Sequence, residues 1–392
     1  LAVSFIYGST VLSLYTSHLT TSALLIGLIP AIQNVGYFLP QLVTARYSER
    51  LARQKPFLLR ISVMERLPYL FIGLTCLLYP EAPAAVSYAI LAGGMAIANL
   101  SSGLGGPAWN HLLSKVIPVA RRGIFFGLSS AIGGLLGVAG TMLSRHVLGT
   151  YAFPISFGIC FLLCFACHVL SWSALSLNRE PPLQPEAEAA SMREYWRRLP
   201  GVLRADHNFC HYLVARSLIV LGGMGTALYI VYGKRTFAVT DTFAADLTMA
   251  ALIVQTVSTP LLGMLADRRG NKLLSEISAL LGAGALVLVL LAPNSLWLYP
   301  VFMLMNGALA SMFVAGQGIT LEFGGPGNLP TYVALANTLL SVPILVAPLL
   351  GGWLADTIGF GNLFVVALVF SLAGWAAMRF AVRDPRHANG TA

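Results

Sequence analysis

The sequence predicts an all-α polytopic membrane protein: twelve transmembrane helices arranged in two six-helix halves. Three observations predict it. Apolar residues make up 57% of the 392-residue chain and charged residues only 10%, against roughly 25% charged in soluble domains. Reading along the chain, twelve apolar runs appear, each near the ~20 residues a helix needs to cross a bilayer core. The longest polar segment, 176–208, divides those runs six and six. With 24 basic and 15 acidic side chains and a mean hydropathy of +0.76, a water-facing surface for a chain this long cannot be built. That excludes a soluble enzyme or a nucleic-acid-binding protein.

The runs are 1–17, 23–44, 57–78, 84–106, 124–147 and 152–175, then 209–232, 244–266, 273–292, 296–318, 331–354 and 362–382. Short separators carry Gly, Pro or charge, as in Tyr79-Pro80-Glu81-Ala82-Pro83 and Ala292-Pro293-Asn294-Ser295, and such residues break regular structure. The runs lack the alternation of barrel strands. Helices satisfy their own backbone groups in lipid, so an all-helical bundle follows. Residues 1–175 form the expected N-terminal half, with a truncated N-terminus because the first run starts at Leu1 without a charged leader. Residues 176–208 are a linker, 209–382 the second half, and 383–392 a tail. Within the linker, Met192, Tyr195, Trp196, Leu199 and Leu203 recur at helical spacing with arginines interleaved. That pattern fits a helix in the headgroup layer and equally an ordinary connecting helix.

The net charge of +9 matters through its distribution. Nineteen bases follow the even-numbered runs, among them Arg46, Arg53, Lys55, Lys115, Arg121, Arg179, Arg197, Arg268, Lys272 and Arg383, whereas Arg145, Lys234 and Arg235 lie on the other side. Cytoplasmic loops collect Lys and Arg, so both termini are expected in the cytoplasm of a multi-pass protein of the cell (inner) membrane.

The segment Gly263-Met264-Leu265-Ala266-Asp267-Arg268-Arg269-Gly270-Asn271-Lys272 resembles the G-x-x-x-D-R-x-G-x-K signature of the major facilitator superfamily. Ala45-Arg46-Tyr47-Ser48-Glu49-Arg50-Leu51-Ala52-Arg53 stands at the matching place in the first half, with Glu for Asp and Ala for both Gly. Duplicated six-helix halves are a known transporter architecture, and the resemblance covers the whole chain. Trp109-Asn110 with Pro118, Arg121, Arg122 and Gly123, and Leu321-Glu322-Phe323-Gly324 with Pro330-Thr331-Tyr332, are similar to a bacterial branch. Two departures argue against proton-coupled drug efflux. Span 4 reads Asn99-Leu100-Ser101-Ser102-Gly103-Leu104-Gly105 where antiporters carry R-x-x-x-G-x-G, and Gly137-Val138-Ala139-Gly140 on span 5 lacks their Pro.

The expected function is a secondary active transporter, or permease, moving a small neutral or anionic solute by alternating access. The alternatives are a proton-coupled multidrug or solute efflux pump of the same superfamily and a lipid flippase-like conduit. A membrane enzyme would need clustered catalytic groups within spans, and a phosphate-cradling G-x-x-x-x-G-K-S/T sequence is absent, so no enzymatic activity is expected. From helices that line the centre in the family this chain resembles, the candidate substrate-binding residues are Tyr7, Asn34, Asn99, Arg216, Tyr229, Gln255 and Asn306. Asn and Gln also join helices to one another, so each has a structural reading too. Arg216 stands out because an intramembrane charge is functional by default. The gating candidates are Gly263, Asp267, Arg268 and Gly270 with Glu49 and Arg50. Asp267 can favour a neighbouring helix dipole, by ~0.3–1 kcal/mol, while the glycines permit a tight turn and close approach.

Glu65 is the one deep carboxylate and the candidate proton site. Its neighbour Arg66 diverges by about 100° on a helix, so the two cannot face one cavity. Cys160, Cys164 and Cys167 share one stripe of an apolar helix and read as packing; His207, Cys210 and His211 lack a fourth ligand. No metal or cofactor is expected. The expected partners are a small-molecule solute, the lipid bilayer and a coupling ion such as H+, without nucleic acid, and the chain reads as a monomer.

Overall fold

The computed structural model describes residues 1–49, 51–117, 119–181, 206–323 and 329–385. Among them, every regular element is helical: α1 (Ser13–Leu19), α2 (Ala23–Glu49), α3 (Lys55–Leu78), α4 (Ala84–Val116), α5 (Val119–Thr150), α6 (Ile155–Leu177), α7 (His207–Gly222), α8 (Tyr229–Phe237), α9 (Asp241–Arg269), α10 (Asn271–Leu290), α11 (Leu298–Phe323) and α12 (Leu329–Ala376). The amphipathic pattern at 192–203 lies outside the described residues.

Ten helical stretches are long and apolar enough to cross a membrane among the described residues. Two departures from the sequence reading account for that count. The last stretch, Leu335–Ala381, is 47 residues long, about 70 Å at 1.5 Å per residue. That is more than twice a ~30 Å hydrocarbon core. The helix breaks at Gly359, whose φ of 84° and ψ of 164° are non-helical, and only glycine adopts such a conformation at little cost. It therefore supplies two spans. The first apolar run is not one helix but a 3-10 turn (Ala2–Ile6), a π turn (Gly8–Leu12) and α1. Hydroxyls compete there for backbone carbonyls: Ser4 donates to Leu1 at 2.6 Å and Ser13 to Gly8 at 2.7 Å. Such local side-chain bonds draw a segment away from regular α geometry. With these two corrections the helices agree with twelve crossings.

The run 209–232 is also interrupted. α7 ends at Gly222, a 3-10 turn covers Thr226–Leu228, and α8 follows. Gly223 and Gly225 lie in the break, and a Cβ on Gly351 of α12 would strike the Met224 carbonyl. The broken segment and α12 are in backbone contact.

The chain divides into two compact units. Unit 1 comprises Leu1–Ala189 and Ala238–Met249; unit 2 comprises Ala190–Phe237 and Ala250–Ala392. The start of α9 therefore groups with unit 1 and its remainder with unit 2.

In unit 1, α4 packs on α2 and α3, and α3 on α6. The glycine of the span-4 motif explains the first contact. A Cβ on Gly103 would meet the Gly36 and Tyr37 carbonyls, and one on Gly36 would lie 2.9 Å from the Asn99 Cβ. Small residues let helix backbones approach closely in membranes, where lipid supplies no hydrophobic drive between helices. At one end of the unit, Glu180 accepts the backbone N–H groups of Gln54 and Lys55, both at 2.8 Å. Lys115 Nζ lies 3.2 Å from the same carboxylate, whose side chain is 2% exposed. A carboxylate at a helix start satisfies orphan donors and favours the dipole.

In unit 2, α7 packs on α12, and α10 on α11 and α12. Serines tie these helices by hydrogen bonds: Ser278 donates to Ala308, Ser311 to Leu274 and Ser371 to Ala279, at 2.7–2.8 Å. Gly222 lies against Ser371, and Gly374 against Ile219. Asp206 caps α7, accepting from the Phe209 N–H at 2.9 Å, and its other oxygen accepts from the Tyr332 hydroxyl at 3.0 Å.

Candidate functional site

Arg216 lies in the third turn of α7 and is half-buried. Tyr212, one turn earlier, is on the same face, as residues four apart are. Arg216 Nη1 donates to the Tyr212 hydroxyl at 3.0 Å, and Cζ stands 6.0 Å from that ring's centroid. The guanidinium also meets α11. A Cβ on Gly316 would collide with Nη2 and come within 3.2 Å of Cζ and Nη1. Tyr212 is fully buried and held by Phe209 and Phe323 at 6.1 and 5.2 Å between centroids. No carboxylate pairs with Arg216 among the described residues. The arrangement holds a planar cation with further N–H groups that can meet an oxyanion bidentately.

The other candidates fall into separate groups. Asn34 and Asn99 stand half-buried on the contacting helices α2 and α4 of unit 1, with Asn99 Nδ2 donating to the Met95 carbonyl at 2.9 Å. Tyr7 is half-buried at the joint between the 3-10 and π turns, where its carbonyl accepts from Thr10 and Leu12. In unit 2, Tyr229 and Asn306 share Phe302. The Tyr229 and Phe302 rings are 6.2 Å apart, and Asn306 Nδ2 donates to the Phe302 carbonyl at 2.8 Å. Both are buried, Asn306 completely. Gln255 is half-buried on α9, and its carbonyl accepts from Thr259 at 2.6 Å.

Of the gating candidates, Asp267 and Arg268 are exposed in the last turn of α9. Gly270 precedes α10 with φ 91°, so the tight turn between the helices is built on a glycine-specific conformation. Gly263 differs from expectation: among the described residues nothing lies within 4 Å of a Cβ placed there, so no close approach depends on it in this conformation. Glu49 is the last residue of α2, and Arg50 lies outside the described residues.

Glu65 and Arg66 have different further neighbours but touch each other. Arg66 turns to α6, donating through Nε to the His168 carbonyl at 2.9 Å and through Nη1 to Ser62 at 2.6 Å. Glu65 lies beside Ser102 on α4 and keeps a 3.4 Å contact with Arg66 Nη1. Arg66 is thus a helix-joining residue.

Sequence reasoning missed three arrangements. Tyr212 had a legible signal, its i−4 spacing from Arg216. Gly316 had none, because only the packing of α11 brings it to the guanidinium. The third joins distant segments within unit 1: His18 pairs with Asp241 at 3.0 Å, Arg145 with Asp246 at 2.6 Å, and the Thr10 and Thr248 hydroxyls meet. Among the described residues, no three His, Cys, Asp or Glu side chains are grouped to hold a metal ion.

Two units of long apolar helices, with charge concentrated near helix ends and Arg66 and Arg216 held inside spans, are the construction of a multi-pass membrane transporter. The sequence matches the Major Facilitator Superfamily over residues 1–233 and again over 212–392, and the chain belongs to that superfamily. It is similar to the Multidrug resistance protein MdtG of Dickeya zeae (strain Ech586), with 29% identity over 167 residues; the match covers 42% of this chain and 37% of that protein. Among solved structures it resembles the inward-open xylose transporter XylE from E. coli, with a TM-score of 0.73, 14% identity, and 98% and 94% of the two chains covered. It also resembles the nucleoside transporter NupG, with a TM-score of 0.70, 11% identity and 96% of each chain covered. At those identities the structural likeness concerns the fold.

Proposed function

We propose that the protein is a secondary active transporter that moves a small anionic or neutral solute by alternating access of its two six-helix halves, residues 1–175 and 209–382. The observation that carries the anion preference is the Arg216 guanidinium, half-buried within a span and bonded to a neutral tyrosine hydroxyl. Charge inside a membrane protein is expensive and is kept where it works. A solute carboxylate or phosphate would supply the opposite charge, whereas an organic cation would be repelled.

Asn34, Asn99, Tyr7 and Gln255 are proposed to meet the solute's neutral part. Tyr229 and Asn306 would support it from behind through Phe302. Asp267, Arg268, Gly270, Glu49 and Arg50 are proposed to act in closure on the cytoplasmic side, with both termini in the cytoplasm of the cell membrane. Glu65 is the proposed proton site, since its carboxylate reaches both Ser102 and Arg66.

The test is uptake into proteoliposomes, with and without an imposed pH gradient, in wild type, Arg216→Gln and Glu65→Gln. Organic anions should accumulate in wild type and fail in Arg216→Gln. Gradient-driven accumulation should be lost in Glu65→Gln. Efficient transport of a permanent cation would defeat the anion assignment. The second reading, drug efflux, is favoured by the name of the Dickeya relative; outward movement of a cationic dye in the same vesicles would establish it.

A further inference from the structure

We infer that Gly316 and Tyr212 are positioning residues for Arg216: together they form a slot that fixes the guanidinium plane for a bidentate oxyanion. This rests on the proposed anion function and adds the residues that set its geometry.

The argument starts from flexibility. A long Arg side chain loses rotamer entropy when it is held, so an Arg free to swing would bind an anion weakly. Here it is not free. The Tyr212 hydroxyl accepts one N–H from Nη1 at 3.0 Å, and that hydroxyl is itself fixed because its ring is fully buried. The guanidinium also lies where a side chain at 316 would begin, with Cζ and Nη1 within 3.2 Å of a Cβ built there and Nη2 closer still. Glycine is disfavoured inside helices relative to alanine, and Gly316 is in the interior of α11 (Leu298–Phe323). Its absent side chain is the space the guanidinium occupies. One N–H goes to tyrosine and the Nη2 end lies against Gly316; among the described residues no carboxylate takes the remaining N–H groups, which can make two parallel bonds to a carboxylate or phosphate.

Gly316→Ala separates position from fold. The atom a methyl group would displace is the far end of a flexible side chain, not backbone. The helix can therefore stay and the arginine must move. The variant should unfold at the same or a higher temperature than wild type while its anion response weakens. Inorganic phosphate and benzoate are the probes, added to purified full-length protein in a thermal-shift measurement. Phenylglyoxal labelling of Arg216, read by peptide mass spectrometry, is the ligand-free readout.

Wild type should be stabilised by at least one probe. Gly316→Ala should need on the order of tenfold more of it, the worth of one charge-assisted hydrogen bond, and Arg216→Gln should not respond. Labelling of Arg216 should be faster in Gly316→Ala and in Tyr212→Phe than in wild type. Wild-type labelling rates and wild-type anion response in Gly316→Ala would overturn the slot. If neither anion stabilises wild type but labelling still rises in both variants, the slot stands and the anion function fails.

Discussion

His18 Nε2 and Asp241 Oδ1 meet at 3.0 Å, joining the end of α1 to the first residue of α9. The His18 ring is stacked on Phe153 with centroids 4.5 Å apart, so the pair is held in place as well as partly shielded. Its two side chains are 23% and 22% exposed, whereas Arg145, in the neighbouring pair with Asp246, is 58% exposed. Exposed ion pairs contribute ~0.2–1 kcal/mol; shielded, charge-assisted hydrogen bonds contribute about 1.5–3 kcal/mol. We therefore expect Asp241→Asn to lower thermal stability more than Asp246→Asn. The reverse order in detergent-solubilised protein would show that exposure does not rank the two pairs.

Glu180 should be among the costliest acidic residues to remove. Glu180→Ala removes the counter-charge of Lys115, which is 9% exposed and keeps only its bond to the Ala52 carbonyl among the described residues, and leaves the Gln54 and Lys55 N–H groups without their acceptor. Breaking one partner out of a buried pair costs about 3–5 kcal/mol. Glu180→Gln keeps an acceptor oxygen and should cost less. Thermal unfolding of the two variants checks the order; equal losses would mean that the charge, not the helix cap, carries the effect.

Two glycines of one helix should respond oppositely to alanine. At Gly103 the methyl group would meet backbone carbonyls of α2, while at Gly93 nothing lies within 4 Å among the described residues. Overpacking a helix contact costs about 1–3 kcal/mol, and alanine gains up to ~1 kcal/mol over glycine in an open helix position. Gly103→Ala should therefore lower the unfolding temperature and Gly93→Ala hold or raise it. A stable, fully active Gly103→Ala protein would contradict the α2–α4 contact.

The proposed orientation is checked by cysteine labelling from outside, and the structure chooses the probes. Gln54 is 1% exposed and bonded to the Ser48 carbonyl, so it is a poor site, whereas its neighbour Arg53 is exposed. A cysteine at Glu81 or Asn294 should react with an impermeant maleimide and one at Arg53 should not. Outside labelling at Arg53 in intact cells would reverse the proposed topology.

Much of the fold was legible in the residues because lipid is a demanding solvent. Long apolar runs separated by Pro, Gly and charge can satisfy their backbones there only as helices, and their length matches the bilayer. The same rule does not reveal where a run will break. Gly222-Gly223 and the Ser/Thr-rich first run interrupt α geometry through local bonds and the approach of α12, which hydropathy does not register. Arg216 was legible as an intramembrane charge; the 3.4 Å contact of Glu65 with Arg66 was not, because the roughly 100° between adjacent helical positions does not fix where two long side chains end.

What the sequence determined by itself, then, is the class of protein, the helical spans and the identity of the isolated charges. Those follow from transfer energy and helical period, which are properties of neighbouring residues. Only the tertiary structure decided which groups meet: Gly316 beside Arg216, Glu180 at the start of α3, Asp241 against His18. These partners are about 100 to more than 200 positions apart in the chain. Their pairing depends on which faces pack together, and that choice is made by the small residues and serine hydrogen bonds that let one helix lie against another.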